Sequence, residues 1–493
     1  MLTLGEAMLA LVAINAKYCH TSLSVRSLAS YIKSRGEDAA VFEFTINDSV
    51  SNIIKKLAMS GAGVFAFSCY IWNIAVVKRI AVDLKIILPQ AKIWLGGPEV
   101  SFDPESYSFA NKIFCGEGER AFLSELKSDS GRVVRGEPIE NLDELPFPYD
   151  DLENLDNRIL YYESSRGCPY NCSYCLSSSF KGVRFKSLDK VFSDLKRFDD
   201  ANVRLVKFVD RTFNADKKRA NRILEFILNE CKNTSFHFEI EGELLDDEQI
   251  ELLEKFPKGK VQLEIGVQST DRRTLEAVRR YSDTDKLLDI IGQLSKRDNV
   301  HIHTDLIAGL PYETYERFKK SFDDLFERKP HCIQLGFLKL LKGSKMREDA
   351  EKWNYKFSAA APYTVYSNDF LSFAEVKRLE SIEYLVDKLY NSGCFELSVS
   401  EAAAAYGSAF SFFEKLSIYM EERGLYDRPL SRKFLYSAVF EFLGDWIETP
   451  LKIDWLLAEG RPAPGFLGGD TVPKYYENEK YERACALFNK HKR

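Results

Sequence analysis

Three cysteines set the chemistry open to this 493-residue chain. Cys168, Cys172 and Cys175 lie in Ser164-Ser165-Arg166-Gly167-Cys168-Pro169-Tyr170-Asn171-Cys172-Ser173-Tyr174-Cys175, a C-x3-C-x2-C spacing directly after an apolar run. Thiolates at these offsets can reach three corners of one [4Fe–4S] cubane, which takes four ligands when the protein supplies them all. Three ligands leave one iron open to a chelating small molecule. The competing reading is structural zinc, which closes with a fourth protein ligand. After Cys175 no Cys or His follows until Cys231.

The elements around this loop must hold it at the end of a sheet. Strand patterns at 160–165, 205–209, 236–241, 261–267, 301–307 and 333–341 alternate with helical patterns at 188–199, 217–231, 246–256, 285–296 and 312–328. Within 158–353 this predicts a partial parallel (β/α)6 barrel, with its site at the C-terminal strand ends. Residues 1–134 alternate likewise, with strands at 9–14, 40–44, 64–69, 93–95 and 111–114 and helices at 24–35 and 74–88. That is a Rossmann-like α/β domain. Its glycine-bearing turns follow strands, where open parallel sheets bind ligands. The proline-bearing stretch 135–157 reads as a linker, and 354–493 as a mainly α-helical C-terminal domain with amphipathic patterns at 374–390, 409–423 and 432–446.

Composition narrows the setting. Apolar residues make up 45% and charged residues 29%, which excludes a mainly disordered chain. A net charge of −6 offers no bulk attraction to nucleic acid, so any nucleic-acid binding would have to rest on a local basic patch. Ten cysteines are too sparse for a secreted disulfide scaffold and fit a reducing, cytoplasmic location. Residues 57–77 carry no charge over a length that could span a bilayer. Ser60, Gly61, Gly63, Ser68 and Asn73 break that run, which reads as a buried strand entering a helix, and no membrane association is expected. The N-terminus lacks the basic region of a signal peptide.

The triad, with Tyr174 just before its third cysteine, resembles the signature of the radical S-adenosylmethionine (SAM) superfamily. Gln262-Leu263-Glu264-Ile265-Gly266-Val267-Gln268-Ser269 and Asp305-Leu306-Ile307-Ala308-Gly309-Leu310-Pro311 are similar to motifs shared with anaerobic coproporphyrinogen oxidases and methylthiotransferases. Ser68-Cys69-Tyr70-Ile71-Trp72-Asn73, Leu95-Gly96-Gly97-Pro98-Glu99 and Gly116-Glu117-Gly118-Glu119, in that order before the triad, resemble the cobalamin-binding domain of many radical SAM enzymes. Residues 365–425 resemble an uncharacterised helical domain found after a subgroup of them.

The resemblance implies a [4Fe–4S] cluster on Cys168, Cys172 and Cys175, with Tyr174 beside the adenine of SAM. It makes Asp210, Glu239, Glu264, Gln268 and Asp305 candidate SAM contacts, although each carboxylate could equally be paired with a neighbouring Arg or Lys. Cobalamin would meet Ser68, Tyr70, Trp72, Asn73, Gly96, Gly97, Pro98, Glu99, Gly116, Glu117 and Gly118. Two departures stand out. Relatives often place an arginine shortly after the residue matching Glu239, where this chain has Glu241. The loop Asn15-Ala16-Lys17-Tyr18-Cys19-His20-Thr21-Ser22 also lacks the Asp-x-His-x-x-Gly pattern whose histidine ligates cobalt in mutases, so His20 reads as an ordinary hydrogen-bonding residue.

The implied function is a cobalamin-dependent radical SAM enzyme. It would cleave SAM reductively to a 5′-deoxyadenosyl radical, fed by a donor such as flavodoxin or ferredoxin, and transfer a methyl group to an unactivated carbon. No side chain is assigned as catalytic. Three alternatives stay open. The first keeps the cofactors without methyl transfer, in a cyclisation, oxidation or rearrangement. The second is a tRNA methylthiotransferase, with a second cluster on Cys19, Cys69 and Cys115. The third is a non-enzymatic cobalamin- or SAM-sensing protein. The basic run 181–186 and Arg272, Arg273, Arg279 and Arg280 read as solvated charges or as contacts for an anionic substrate. The helical C-terminal domain is expected to cap the open side of the barrel.

Overall fold

The computed structural model describes residues 8–128, 130–179, 182–427 and 429–491. Lys181, in the basic run, lies outside the described residues. The chain forms two compact units. The first takes the chain up to Glu264 with Lys339–Lys352 and Lys356–Val365, and the second takes Ile265–Leu338, Trp353–Tyr355 and the chain from Tyr366.

In the first unit, β1 (Met8–Asn15), β2 (Ala40–Thr45), β3 (Ala62–Ser68), β4 (Lys92–Gly96), β5 (Lys112–Gly116) and β6 (Val133–Gly136) form a sheet in the order β2-β1-β3-β4-β5-β6. All its pairs are parallel. Side chains alternate along β1, so Ala10, Val12 and Ile14 join one core cluster and Leu9, Leu11 and Ala13 another. Both faces are covered, which is why the strand reads as an unbroken apolar run. The strand order reverses between β1 and β3, and a sheet of this kind opens its ligand crevice at that point. The charge-free run 57–77 divides between β3 and helix Ile74–Ile87. No helix among the described residues is long and apolar enough to cross a membrane.

Strand β6 straddles the boundary drawn at residue 134. Only Val133 and Val134 are apolar in it, too short a pattern to register as a strand. The strand expected at 160–165 is two elements: β7 (Ile159–Tyr162) and, after a break, β8 (Ser165–Gly167), which pairs antiparallel with β9 (Val183–Phe185). The cysteine loop runs between the two strands of this hairpin.

The barrel strands are β7, β10 (Leu205–Phe208), β11 (Ser235–Ile240), β12 (Val261–Gln268), β13 (His301–Ala308) and β14 (Cys332–Phe337), in the order β14-β13-β12-β11-β10-β7. Burial alternates strictly along β12 and β13. One face is fully buried; the other presents Gln262, Glu264, Gly266 and Gln268 from β12 and His301, His303 and Asp305 from β13. A wholly apolar barrel core would lack this polar face.

In the second unit the C-terminal helices are Phe373–Leu385, Glu396–Tyr406, Ala409–Glu422, Arg432–Leu443, Glu448–Glu459 and Glu479–His491. Ser372 and Glu375 form a capping box that starts the first of them. The Asn391 amide accepts from the Ile333 backbone N–H at 2.9 Å and donates to its carbonyl at 3.0 Å, and so completes the ladder of edge strand β14. The helical domain therefore covers that edge of the sheet.

Asp454 is buried at the start of helix Glu396–Tyr406, where it accepts from the backbone of Leu397 and Ser398 at 3.0 and 2.8 Å. Burial pushes its carboxyl up to about 7 despite these bonds. An acid raised in the folded state favours folding while protonated and loses that contribution as pH rises through its folded value. The urea midpoint of the protein is thus expected to fall between about pH 4 and about pH 7, with a smaller fall in Asp454→Asn. Equal slopes in both proteins would contradict this.

Candidate cofactor site

The site begins with the loop that β8 and β9 frame. Cys168 and Cys175 are partly exposed and Cys172 is buried. Cys168 Sγ lies 3.6 Å from Thr212 Oγ1, and the Cys175 N–H bonds the Cys172 carbonyl at 3.1 Å. Tyr174 is half-buried beside Cys175. The Met346 N–H donates to the Ser173 carbonyl at 2.8 Å, anchoring the loop from Lys339–Lys352 of the same unit. Among the described residues no three His, Cys, Asp or Glu side chains converge on a single metal ion. Three cysteines on one loop fit a cubane with an open corner.

Asp210 lies two residues beyond the end of β10 and is 1% exposed. It accepts from the Ser164 N–H at 2.8 Å and from the Ser165 hydroxyl at 2.9 Å. Burial pushes its carboxyl up to about 6, against these hydrogen bonds. Both oxygens are thus engaged at the corner that turns the chain into the cysteine loop.

Glu239 and Glu264 stand on the polar barrel face. Glu264 accepts from Lys207 Nζ at 2.7 Å and lies 3.0 Å from His237 Nε2. Burial opposes its charge, but His237 and Lys207 hold the carboxyl well below its usual range. Glu239 has Arg211 at 3.9 Å and Lys207 at 3.8 Å, and burial with the adjacent Glu264 raises it. The paired-carboxylate alternative thus describes both residues as they stand. In the second unit, Asp305 lies 3.6 Å from His303. There too Gln268 Oε1 is buried with no hydrogen-bond partner among the described residues. An unbonded buried acceptor at the exit of β12 fits a donor on a bound SAM.

At the crevice end of the first sheet, Tyr70 and Trp72 stack with centroids 4.2 Å apart and planes 9° apart. Trp72 is 45% exposed and offers a flat apolar face suited to a corrin. Ser68 is buried, with its hydroxyl 2.9 Å from that of Ser24. Asn73 is 1% exposed and its amide is spent within the protein: it accepts from the Tyr70 N–H at 2.8 Å and donates to the carbonyls of Ile14 and Ser68. It ties the loops after β1 and β3 together. Glu99, next to Gly96-Gly97-Pro98, is likewise buried and accepts from the hydroxyls of Tyr107 and Tyr363, with Lys342 Nζ 3.9 Å away.

Gly97 has φ +111°, and a Cβ there would sit 2.6 Å from the Cys69 carbonyl oxygen. The turn after β4 therefore closes on the turn after β3 only with glycine. Gly97→Ala is expected to destabilise the first unit by about 2 kcal/mol and to lower cobalamin retention. Melting with and without hydroxocobalamin checks this, and an unchanged transition would refute it.

Gly116-Glu117-Gly118-Glu119 faces the cysteine hairpin. Arg166 and Arg184 lie directly opposite each other across β8 and β9. Two like charges in that register repel, and Glu117 resolves the conflict by accepting from both, with Arg166 at 2.7 Å. Arg166 also pairs with Glu119 at 2.9 Å and Glu163 at 2.8 Å. Burial works against the charge on Glu117, but Arg184 and Arg166 hold its carboxyl below the usual value. A glycine-rich loop of the first sheet is thus clamped to the residue two positions before Cys168. The expectation of a solvated basic run fails here: Arg184 is engaged by Glu117, and Lys186 is buried with its ammonium 4.6 Å from the Tyr162 ring centroid. Arg272 is exposed, Arg273 covers the Tyr312 ring at 3.7 Å, and Arg280 donates to the Gly266 carbonyl at 2.6 Å.

The loop after β1 makes a second link. His20 bridges to Ile159 of β7, and its Nδ1 lies 2.6 Å from the Tyr161 hydroxyl. Burial, then Lys17 and Lys207, lower its pKa. Reading the sequence alone missed the structural uses of Arg184 and Asn73, while His20 is the hydrogen-bonding residue expected. The proximity of Arg166 to the triad was the available signal.

Comparison with known proteins follows this division. Residues 9–124 match the B12 binding domain, 162–325 the radical SAM superfamily, and 351–491 a protein family of unknown function, DUF4080. An uncharacterized methyltransferase of Pyrococcus horikoshii is 27% identical over 61% of this chain and 73% of its own length. The cobalamin-dependent radical SAM methyltransferase TokK of Streptomyces tokunonensis is 26% identical over 56% of this chain, which spans 47% of TokK. The structure of the cobalamin-dependent radical SAM enzyme OxsB with aqua-cobalamin and S-adenosylmethionine bound superposes with a TM-score of 0.62 at 14% identity, over 98% of this chain and 84% of OxsB.

Proposed function

Since the chain belongs to the radical SAM superfamily and carries a B12-binding domain, we propose that it is a cobalamin-dependent methyltransferase acting on an unactivated carbon. One observation carries this reading: Arg166, two residues before Cys168, is ion-paired to Glu117 and Glu119 in a ligand-end loop of the B12-binding domain. These ion pairs hold the cysteine loop against the loop proposed to receive cobalamin. The likeness to proteins named as methyltransferases supports methyl transfer over other radical outcomes.

Cys168, Cys172 and Cys175 hold the cluster. Glu239 and Glu264 of the first unit, and Gln268 and Asp305 of the second, are the residues proposed to contact SAM. Tyr70 and Trp72, with the turns at Gly96-Gly97-Pro98 and Gly116-Glu117-Gly118, receive cobalamin. When bound, these groups supply one-electron cleavage of SAM and a transferable methyl group. Asp210, Asn73 and Glu99 use their polar atoms inside the protein and fix the loops that carry the contacts. A small electron-transfer protein such as flavodoxin or ferredoxin supplies the electron. Ten cysteines spread over this length suit a reducing cytoplasm.

The methylthiotransferase alternative needs thiolates at Cys19, Cys69 and Cys115. Cys69 and Cys115 are buried, and burial pushes both thiols up, away from the ligand form. The test is anaerobic turnover with reductant and methyl-deuterated SAM. Both 5′-deoxyadenosine and S-adenosylhomocysteine are expected. 5′-Deoxyadenosine without S-adenosylhomocysteine would contradict methyl transfer.

A further inference from the structure

At the exit of β12 the backbone makes a turn that the sequence does not signal. Gln268 has φ +69°, a left-handed value unusual for a side chain with a Cβ. The Ser269 N–H bonds the Val267 carbonyl at 2.9 Å, so the reversal is closed within three residues. It folds the Gln268 amide back against the α-carbon of Gly266, where a Cβ would meet Nε2 at 2.2 Å. Arg280 fixes the Gly266 carbonyl from the other side at 2.6 Å.

A conformation of this kind persists only where its surroundings over-determine it. Here the surroundings are three fully buried residues. Ser269, immediately after the turn, donates to Glu313 Oε1 at 2.7 Å, and Ser321 donates to the same oxygen at 3.0 Å. Ser269 Oγ also accepts from the Asp271 N–H at 3.0 Å, which leads into helix Arg272–Ala277. Ser321 in turn accepts from the Thr270 N–H at 3.0 Å. Glu313 therefore acts as the hub of a latch across residues 269–271. Burial pushes its carboxyl up to about 8, so at pH 7 it is a neutral acid, which a dry site accepts far more readily than an anion.

We propose that Glu313 is a positioning residue: by holding Ser269 it keeps Gln268 in its reversed conformation, with Oε1 presented as an acceptor to bound SAM. The proposal rests on the reading of Gln268 as a SAM contact.

The test is equilibrium dialysis of radiolabelled SAM against cluster-reconstituted protein, with iron and cobalt measured alongside. Glu313→Ala is expected to weaken SAM binding about tenfold, the scale of one lost charge-assisted bond, with iron and cobalt contents unchanged. Glu313→Gln keeps an acceptor for both serines and is expected to bind within about twofold of wild type. Gln268→Ala should match Glu313→Ala, and the double variant should lose no more than either alone. Should Glu313→Ala fail to fold, Ser269→Ala combined with Gln268→Ala makes the same comparison. Wild-type affinity in Glu313→Ala, or additive losses in either double variant, would overturn the proposal and leave the radical SAM reading intact. Wild-type protein that binds no SAM would overturn both.

Discussion

Replacing Cys172 with alanine is expected to abolish the iron–sulfur centre. The loop offers three cysteines, and among the described residues no three or more His, Cys, Asp or Glu side chains are grouped to hold a single metal ion. With two thiolates the cubane loses its footing, and iron should drop from about four per chain to well below one. 5′-Deoxyadenosine formation should fall to background. Cobalt content should hold, because Cys172 lies outside the residues matched to the B12-binding domain. That contrast separates loss of a ligand from loss of the fold. A Cys172→Ala protein that kept its iron and cleaved SAM would remove the basis of the proposed chemistry.

The second large effect is at Arg166. Its side chain is 19% exposed and meets Glu117, Glu119 and Glu163, themselves 11%, 10% and 19% exposed. Arg166→Met leaves three largely desolvated carboxylates with Arg184 as the remaining guanidinium on Glu117. Breaking a buried pair from one side costs about 3 kcal/mol or more, since the abandoned charge stays buried. Arg166→Lys should recover little, because one ammonium cannot reproduce a planar fork spread over three acids. Adding Glu117→Gln to Arg166→Met should restore part of the loss, since the two sites share one network. Thermal melting reads the stability, and retained cobalt reads the loop. Full stability in Arg166→Met would show that the clamp is ornamental.

How much of this was legible in sequence follows from what each residue answers to. The cysteine triad stands out in the sequence because a cluster would dictate both residue type and spacing, and the structure carries it on one loop between β8 and β9. The ligand-end loops were readable because parallel strands end in turns that need glycine, and Gly97 at φ +111° is such a case. Strand and helix order in the barrel followed from alternation, and the observed ends of β10 to β13 lie within a residue or so of the predicted ones. Strand β6 escaped because two valines carry no period.

The fate of polar side chains was the part hidden from one-dimensional reading. Asp210 sits where a SAM contact was expected, yet its oxygens are bonded to Ser164 and Ser165, forty-odd residues earlier in the chain. Arg184 looks like one charge in a solvated basic run; only the pairing of β8 with β9 places it beside Arg166 and makes Glu117 necessary. The reversal at Gln268 depends on a serine next to it and a glutamate forty-four positions beyond that serine. Helices Glu396–Tyr406 and Glu448–Glu459 went unread because apolar residues cover most of their surface, which blurs the amphipathic period.

The central claim is that one chain holds both a radical-generating cluster and a corrin. The most direct measurement is metal content after anaerobic reconstitution with iron, sulfide and hydroxocobalamin, followed by removal of unbound ligand. The account predicts about four irons and one cobalt per chain, with SAM cleaved on reduction. Four irons without cobalt would contradict it, and the first domain would then have to serve some purpose other than carrying the methyl group.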